Sequence, residues 1–317
     1  MKKRIERRGY SVTFSPFSVR TPASTANLGP GFDSIGLALP IFQTIDVEPG
    51  SSWSVSYDQQ EFQHLPPDGS NLILKTIHKV ARDAGMECPT AELYVRSDIP
   101  LSRGLGSSAA AIAAGVSIAD RLMNLNLSID EQIKAASEIE GHPDNVSASI
   151  AGGLTVSRYA DHELTSISLP VEGFSVVIMA PENELETEKS RGVIPDTLKH
   201  HEAVLSSAAA NVMVASLLVK DFRKAGQVMM KDGFHEPYRL NFFPQFEEIK
   251  EKSGDLGAFA VTISGAGPCI AVFAEDSASS CVSEQLTAMY PEFKVMQLKP
   301  VNQGTILNEY PSNRLSV

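Results

Sequence analysis

The chain has 317 residues, of which 43% are hydrophobic, and this is enough apolar side chain to form two domains of ordinary size. The formal net charge of −11 disfavours a broad polyanion-binding surface, so we expect small metabolites as partners, with no nucleic acid and no membrane. No apolar run approaches the roughly 20 residues that cross a bilayer, and the basic N-terminal run lacks the apolar segment of a secretory signal. We therefore expect a cytoplasmic protein whose three separated cysteines are reduced.

The first part of the chain is strand-rich. Alternating apolar residues predict strands near 35–41 and 53–57, in an antiparallel or mixed sheet. A helix is predicted over 70–85, with Ser70 or Asn71 near its cap.

Two more helices and a strand are predicted before residue 160. A strand at 91–100 leads into a long alanine-rich helix from about Ser107. The capping-box pattern at 128–131 predicts the next helix, which Gly141 closes. Residues 142–153 are interpreted as a loop and a small-residue segment that lead into another strand.

The second half combines apolar strands, such as "FSVVIMAP" and "FKVMQLKPV", with helices near 197–220 and 277–290. This pattern predicts a second α+β layer that begins near residue 170. We therefore expect two domains, 1–170 and 171–317.

The stretch "PLSRGLGSSAA" carries the strongest chemical signal. A strand, a glycine-rich turn and a helix start place unpaired backbone N–H groups around one point, where the helix dipole adds positive potential. A phosphate is the expected ligand, and an ordinary strand-to-helix turn with a serine cap is the alternative. The residues of this predicted ATP-binding loop are Pro100, Leu101, Ser102, Arg103, Gly104, Leu105, Gly106, Ser107, Ser108, Ala109 and Ala110.

The chain has neither the G-x-x-x-x-G-K-[ST] loop nor the H-R-D and D-F-G set of protein kinases. It resembles instead the GHMP kinase superfamily, whose phosphate loop P-x-x-x-G-L-G-S-S-A is matched from Pro100 to Ala109. The segments "RTPASTANLGPGFDSIGLAL" and "TISGAGPCIAVFA" resemble the first and third motifs of that superfamily. In the third motif, Gly265 and Gly267 belong to a hairpin that the resemblance places beside the phosphate loop.

Three further segments, "EIEGHPDNVSASIAGG", "TEKSRGVIP" and "HEPYRLNFFP", resemble the homoserine kinase branch. The resemblance spans residues 20–275 and implies an α+β, two-domain GHMP kinase fold. Its N-terminal domain would be a ribosomal protein S5 domain 2-like nucleotide-binding domain, and its C-terminal domain a ferredoxin-like α/β sandwich. The implied activity is the ATP-dependent phosphorylation of L-homoserine in threonine biosynthesis, with Mg2+ as cofactor and a homodimer as assembly.

The resemblance points to Ser108 and a glutamate before "GHPDN" as metal ligands, and both Glu138 and Glu140 are available. Helical spacing favours Glu138, because it lies four residues before His142 and shares its face if the helix continues that far.

An amino-acid substrate needs partners for one carboxylate, one ammonium and one hydroxyl. Guanidinium groups pair bidentately with carboxylates, so the resemblance assigns Arg191 and Arg239 to the α-carboxylate. The groups expected around the ammonium and the hydroxyl are Asn27, Asp33, His142, Asp144 and Asn145. The turn "NLGPGFD" is expected to form the wall of this site, with glycines that bring the backbone close to the substrate.

The catalytic set implied by the resemblance is Asp33, Asp144, Thr187 and Arg191. Asp144 is a candidate base, although the branch implies that the γ-phosphate takes the proton while Thr187 and the loop amides fix the geometry. Asn71 is the candidate adenine contact. A mevalonate or shikimate kinase and a catalytically silent regulator on the same fold are the alternatives, and the intact Ser108, Glu138 and Asp33 favour an active enzyme.

Overall fold

The computed structural model of the chain describes residues 14–310, which form two β-sheets covered by helices. The larger sheet has seven strands in the order β11-β1-β2-β4-β3, with β5 joined to β2 and β6 joined to β5. All its pairs are antiparallel except β3 with β4. Its strands are β1 (Phe17–Ala26), β2 (Ile35–Pro49), β3 (Ser54–Tyr57), β4 (Ala91–Ser97), β5 (Leu154–Ala160), β6 (Glu163–Leu169) and β11 (Ile306–Glu309).

The smaller sheet has four antiparallel strands in the order β10-β7-β9-β8. They are β7 (Phe174–Pro181), β8 (Ala258–Ile263), β9 (Ile270–Glu275) and β10 (Phe293–Leu298). The helices are α1 (Leu72–Asp83), α2 (Ser107–Met123), α3 (Ile129–Glu140), α4 (Asp144–Ala151), α5 (Thr187–Arg191), α6 (His200–Leu218), α7 (Phe222–Met229), α8 (Glu236–Arg239), α9 (Phe246–Asp255) and α10 (Ser279–Met289). Two short 3-10 turns lie at Gln60–Phe62 and Leu240–Phe242.

Local capping signals set two of the helix starts as predicted. The Asn71 side chain caps α1 by accepting a hydrogen bond from the Ile73 N–H. In α3, Ser128 and Glu131 form both bonds of the capping box, and Gly141 ends the helix in the left-handed conformation.

The interpretation of residues 142–153 as a loop and a small-residue segment missed a helix, because residues 144–151 form α4. Its alanines and serines are weak helix signals in isolation. In the fold, their small size lets the helix pack directly on β2, where a Cβ at Gly36 would overlap the Asp144 carbonyl oxygen. Close packing on the sheet therefore stabilises a helix that local propensity does not predict.

The apolar core connects the two sheets. One cluster includes Leu37 and Leu39 of β2 together with Phe174 of β7 and Phe273 of β9. The strands change from the first sheet to the second between Leu169 and Phe174, close to the predicted boundary. However, β11 returns to pair with β1, so residues 306–309 join the first sheet rather than the predicted C-terminal domain.

Within residues 14–310, α6 is the one helix long and apolar enough to cross a membrane by length and composition alone. Met213 and Leu217 on this helix are buried in the core beside Phe222 of α7. Helix α6 is therefore packed on one side as part of the folded domain.

Candidate active site

A cavity of about 370 Å³ lies where the two sheets meet, between the start of α2 and the segment that contains α5. The predicted residues that line it are Asn27, Asn71, Leu101, Ser102, Gly104, Gly106, Ser107, Ser108, His142, Asp144, Asn145, Thr187, Arg191, Arg239 and Gly265. The structure thus brings together residues from segments that are far apart in sequence.

The phosphate loop joins β4 to α2 at one side of the cavity. Helix α2 begins at Ser107, and among the described residues no side chain caps it. Its first N–H groups therefore lack intrahelical partners and lie beside the cavity at the positive end of the helix dipole. This geometry is suited to binding a phosphate.

The contacts of residue 104 with the rest of the protein require a glycine at this position. Its φ is 74°, and a Cβ at this position would overlap the Ser264 carbonyl oxygen. The Ser264 hydroxyl donates to the Gly104 carbonyl at 2.6 Å, and the Cys269 N–H donates to the Arg103 carbonyl at 3.3 Å. The glycine-rich hairpin thus packs against the phosphate loop, as the third motif predicts, and fixes its path.

The structure places Glu140, and not the favoured Glu138, beside Ser108. The Ser108 hydroxyl donates to Glu140 Oε1 at 2.8 Å, and both residues line the cavity. Glu138 lies in a separate groove, with a carboxylate oxygen 3.9 Å from Lys79 Nζ. The spacing argument for Glu138 fails because α3 ends at Glu140, so His142 does not continue the helical face.

We call the part of the cavity that His142, Asp144, Arg191 and Arg239 line the acceptor side. Asp33 and Arg191 form a bidentate ion pair there. Arg191 Nη2 lies 2.5 Å from Asp33 Oδ1, and Nη1 lies 3.1 Å from Oδ2. About a third of each side chain remains exposed. Burial acts to lower the pKa of Arg191, but the hydrogen bond and charge of Asp33 outweigh it and raise that pKa. Asp33 itself is not among the cavity-lining residues.

Asn27 lies in the turn that was predicted to form the acceptor wall, and both ends of its side-chain amide are hydrogen-bonded to the protein. Its Oδ1 accepts from the Asp33 N–H at 3.1 Å, and its Nδ2 donates to the Gly265 carbonyl at 3.1 Å. Gly29 is also held by protein, because a Cβ there would overlap the Met229 carbonyl oxygen. The expectation that this glycine brings backbone close to substrate is therefore corrected: it brings backbone close to α7.

His142 and Asp144 form a second hydrogen-bonded pair. His142 Nδ1 lies 2.5 Å from Asp144 Oδ1, which also accepts from the Asn145 N–H at 2.7 Å. Burial lowers the pKa of His142, but the hydrogen bond and charge of Asp144 outweigh it, so the pKa is raised. Ligand atoms of Asp33, His142 and Asp144 all lie within 4.8 Å of one another, which makes a compact acidic cluster. Asn145 accepts from the Ser24 hydroxyl at 2.9 Å and so ties α4 to β1.

Arg239 is 1% exposed, yet it lines the cavity. Its Nε donates to the Ser190 carbonyl at 3.2 Å and its Nη1 to the Gly265 carbonyl at 2.9 Å, while Nη1 also lies 2.9 Å from His235 Nδ1. Among residues 14–310, its Nη2 has no hydrogen-bond partner. Burial, together with the nearby charge of Arg191, lowers the pKa of Arg239 to about 10.

The opposite end of the cavity is apolar, and sequence reasoning missed it. Tyr57, Phe62, Leu65 and Pro66 line this end, and the Tyr57 and Phe62 rings stack with centroids 6.0 Å apart. The alternation that contains Tyr57 predicted a strand and gave no sign of a ligand. Asn71, the predicted adenine contact, donates to Tyr57 Oη at 2.8 Å and to the Pro66 carbonyl at 2.7 Å. Its side chain therefore shapes the apolar end as well as capping α1.

The comparisons with known proteins agree with this architecture. The model of the GHMP kinases N terminal domain matches residues 71–153, and that of the GHMP kinases C terminal domain matches residues 213–292. A homoserine kinase of Bacillus cereus (strain B4264) is 41% identical over 298 residues, which cover 93% of this chain and 97% of that protein. The chain belongs to the homoserine kinase family of GHMP kinases.

Other members of the family are similar over nearly their whole length. A homoserine kinase of Bacillus anthracis is 40% identical over 298 residues, which cover 93% of this chain and 97% of that protein. The crystal structure of homoserine kinase from Cytophaga hutchinsonii superposes with a TM-score of 0.84 at 26% identity, covering 94% of this chain and 99% of that one. The two-domain GHMP kinase fold with mixed α and β content is therefore confirmed.

Proposed function

We propose that this chain transfers the γ-phosphoryl group of ATP to the side-chain hydroxyl of L-homoserine, giving O-phospho-L-homoserine and ADP. The observation that carries this proposal is one continuous cavity. It holds an uncapped helix start at Ser107 on one side and the Arg191 and His142–Asp144 groups on the other. Membership of the homoserine kinase family supports the choice of substrate and the place of the step in threonine biosynthesis.

We assign ATP one orientation in the cavity, with its phosphates at the start of α2 and its base at the apolar end. Its phosphates are assigned to the N–H groups at the start of α2, because that end carries positive potential. Its base is then assigned to the apolar end with Tyr57 and Phe62, where aromatic rings offer flat contact surfaces. These assignments leave the acceptor side free for the second substrate.

Mg2+ is assigned to Ser108 and Glu140. A hydroxyl and a carboxylate oxygen, 2.8 Å apart at the edge of the phosphate loop, are the hard oxygen donors that this ion takes in nucleotide sites. Bound there, the ion would neutralise phosphate charge during transfer.

The charges on the acceptor side complement an amino-acid zwitterion. Arg239 offers an Nη2 that is unpaired within residues 14–310 and is held in place by the other hydrogen bonds of the guanidinium, and Arg191 also lines the cavity wall. These groups are assigned to the α-carboxylate, while the Asp33 and Asp144 carboxylates are assigned to the ammonium. Mevalonate has a carboxylate but no ammonium, so it would offer no positive group to the acidic cluster.

The transfer needs positioning more than a strong base. The homoserine hydroxyl oxygen bonds to the γ-phosphorus as the bond from that phosphorus to the β–γ bridging oxygen breaks, which releases ADP. The side chain of Asp144 is already bound to His142 and the Asn145 N–H. We therefore assign the hydroxyl proton to an oxygen of the transferred phosphoryl group, with Thr187 and the loop amides as positioning groups.

A coupled ADP-release assay over L-homoserine, mevalonate, shikimate and galactose tests the proposal. L-homoserine is expected to give ADP well above the blank, with a phosphomonoester signal in the phosphorus NMR spectrum of the product. Turnover of another alcohol in place of homoserine would refute the assignment. The homodimer implied by the resemblance stays a prediction, which light scattering tests as a mass near twice 34.2 kDa.

A further inference from the structure

Gln43 is a buried amide whose nitrogen has no partner. The residue is 5% exposed, and within residues 14–310 its Nε2 makes no hydrogen bond. Buried polar groups in folded proteins are nearly always paired, because an unpaired one has lost its water without compensation. Of the residues with such an unpaired side-chain atom among those described, Gln43 is the one that also lines the cavity, which brings its carboxamide within reach of a bound ligand.

The position of Gln43 places it near the aromatic end of the cavity. It lies on β2 directly opposite Ser97 of β4, and both residues line the cavity. Gln59 Nε2 donates to the Ser97 carbonyl at 3.0 Å and so connects this point to the 3-10 turn that carries Phe62. On β2, the next inward residue, Ile45, belongs to the apolar core. Gln43 is thus a polar residue at the boundary between that apolar core and the cavity.

We propose that the Gln43 carboxamide recognises the purine edge of the bound nucleotide and makes the enzyme select adenine. A carboxamide presents a donor and an acceptor side by side, and adenine presents the complementary pair, a ring nitrogen beside the 6-amino group. Nε2 donates to the ring nitrogen and Oε1 accepts from the 6-amino group. This inference rests on the proposed function only in taking ATP as the nucleotide.

The test compares wild type with Gln43→Met, which keeps the length of the side chain and removes both hydrogen-bonding atoms. Gln132→Met is the matched control, because the Gln132 amide is paired within the protein, to Ser117 and to the Leu127 carbonyl, and does not line the cavity. KM is measured at saturating L-homoserine for ATP, purine riboside triphosphate, GTP and 2′-deoxyATP. Purine riboside triphosphate lacks the 6-amino group, and 2′-deoxyATP changes only the sugar.

Gln43→Met is expected to raise KM for ATP about tenfold, the scale of one or two hydrogen bonds. KM for purine riboside triphosphate should rise less, because this analogue keeps only the bond from Nε2 to the ring nitrogen, so the preference for ATP over this analogue decreases. The melting temperature without ligand should stay level or rise, because an unpaired buried amide has been removed. In Gln132→Met the selectivity should stay as in wild type while the melting temperature falls.

Unchanged selectivity between ATP and purine riboside triphosphate in Gln43→Met would overturn the proposal. So would a variant whose defect appears only with 2′-deoxyATP, since the contact would then be to the sugar. The same nucleotides are also compared by their ligand-induced shift in melting temperature without homoserine. If wild type binds ATP but phosphorylates no homoserine, the proposed function fails while the role of Gln43 is still decided by these shifts.

Discussion

The phosphate-loop side of the cavity presents mainly backbone groups, whereas the acceptor side presents side chains. On the phosphate-loop side, backbone N–H groups at the start of α2 face the cavity, and the loop is held by the carbonyl of Gly104 and the hydroxyl of Ser264. On the acceptor side, charged side chains do this work, and their positions depend on one another: Asp33 holds Arg191, and Asp144 holds His142.

This difference has a consequence for how each side responds to mutation. A backbone-built site tolerates changes of side chain but not of backbone path. A site of paired charges loses function when one charge is removed, because its partner is left unpaired in a half-buried place. The two sides should therefore fail separately, one in nucleotide binding and the other in acceptor binding.

The largest expected effect is that of Asp33→Asn. The change removes the charge that pairs with Arg191 and one of the two carboxylates assigned to the ammonium. We expect kcat/KM for homoserine to fall roughly a thousandfold, the scale of two hydrogen bonds to charged groups. KM for ATP should change little.

Asp46→Asn is the matched control, because Asp46 pairs with Arg96 away from the cavity, at 2.8 Å. Steady-state kinetics with each substrate varied in turn provide the measurement. An equal rise of KM for ATP in Asp33→Asn would show that the two sides are not separable.

The next largest effect is expected from Glu140→Gln, with Glu138→Gln as the comparison. Glu140 contacts Ser108 in the cavity, whereas Glu138 lies beside Lys79 outside it. Loss of a charged metal ligand should lower kcat roughly a hundredfold, the scale of one strong electrostatic contact. The Mg2+ concentration needed for half-maximal rate should also rise, while Glu138→Gln stays near wild type. The opposite ranking in a magnesium titration would return the ligand role to Glu138.

The same contrast explains what the sequence could predict. The phosphate loop is one contiguous segment whose glycines, serines and following helix are local signals, so its place beside the cavity followed from the motif. The caps of α1 and α3 were predicted for the same reason. Local signals mislead where an element ends earlier than assumed. The helical spacing that favoured Glu138 depended on α3 continuing past Gly141, which it does not.

The acceptor side and the apolar end depend on tertiary contacts. The residues proposed for the carboxylate came from family resemblance. No spacing predicts that Arg239 is buried with Nη2 as its one guanidinium nitrogen unpaired among the described residues. Helix α4 was missed because its small residues form a helix only where they pack on β2. Tyr57 and Phe62 line the cavity from two different elements, and the Asn71 amide that caps α1 also donates to Tyr57 Oη.

A smaller effect is expected from Gly104→Ala on the phosphate-loop side. The added Cβ would overlap the Ser264 carbonyl, and the left-handed φ of 74° is itself unfavourable for alanine. The loop must shift, so KM for ATP should rise about tenfold, and the melting temperature should fall because each hydrogen bond to the hairpin contributes roughly 1 kcal/mol. KM for homoserine should change less than twofold, roughly. A larger change for homoserine than for ATP would contradict the division of the cavity.

The smallest expected effect concerns Glu236, a buried carboxyl group behind the acceptor side. Glu236 accepts from the Ile263 N–H, and burial, with the nearby charge of Asp232, raises its pKa to about 8 from an ordinary 4.5. The unfolded chain releases this proton from about pH 4.5 upward, whereas the folded protein keeps it until about pH 8. Stability from this group is therefore fully present below pH 4.5 and is lost as the pH rises through 8.

Glu236→Gln keeps an acceptor for Ile263 and cannot ionise. Its melting temperature should match that of wild type near pH 5 and exceed it by several degrees at pH 8.5, and the difference between the two proteins isolates this one group from all others that titrate. Glu247→Gln is the control, because Glu247 is an exposed residue on α9. A difference between variant and wild type that stays constant with pH would mean that Glu236 is ionised in the folded protein. The acceptor side would then hold its arginines with one more negative charge than the raised pKa implies.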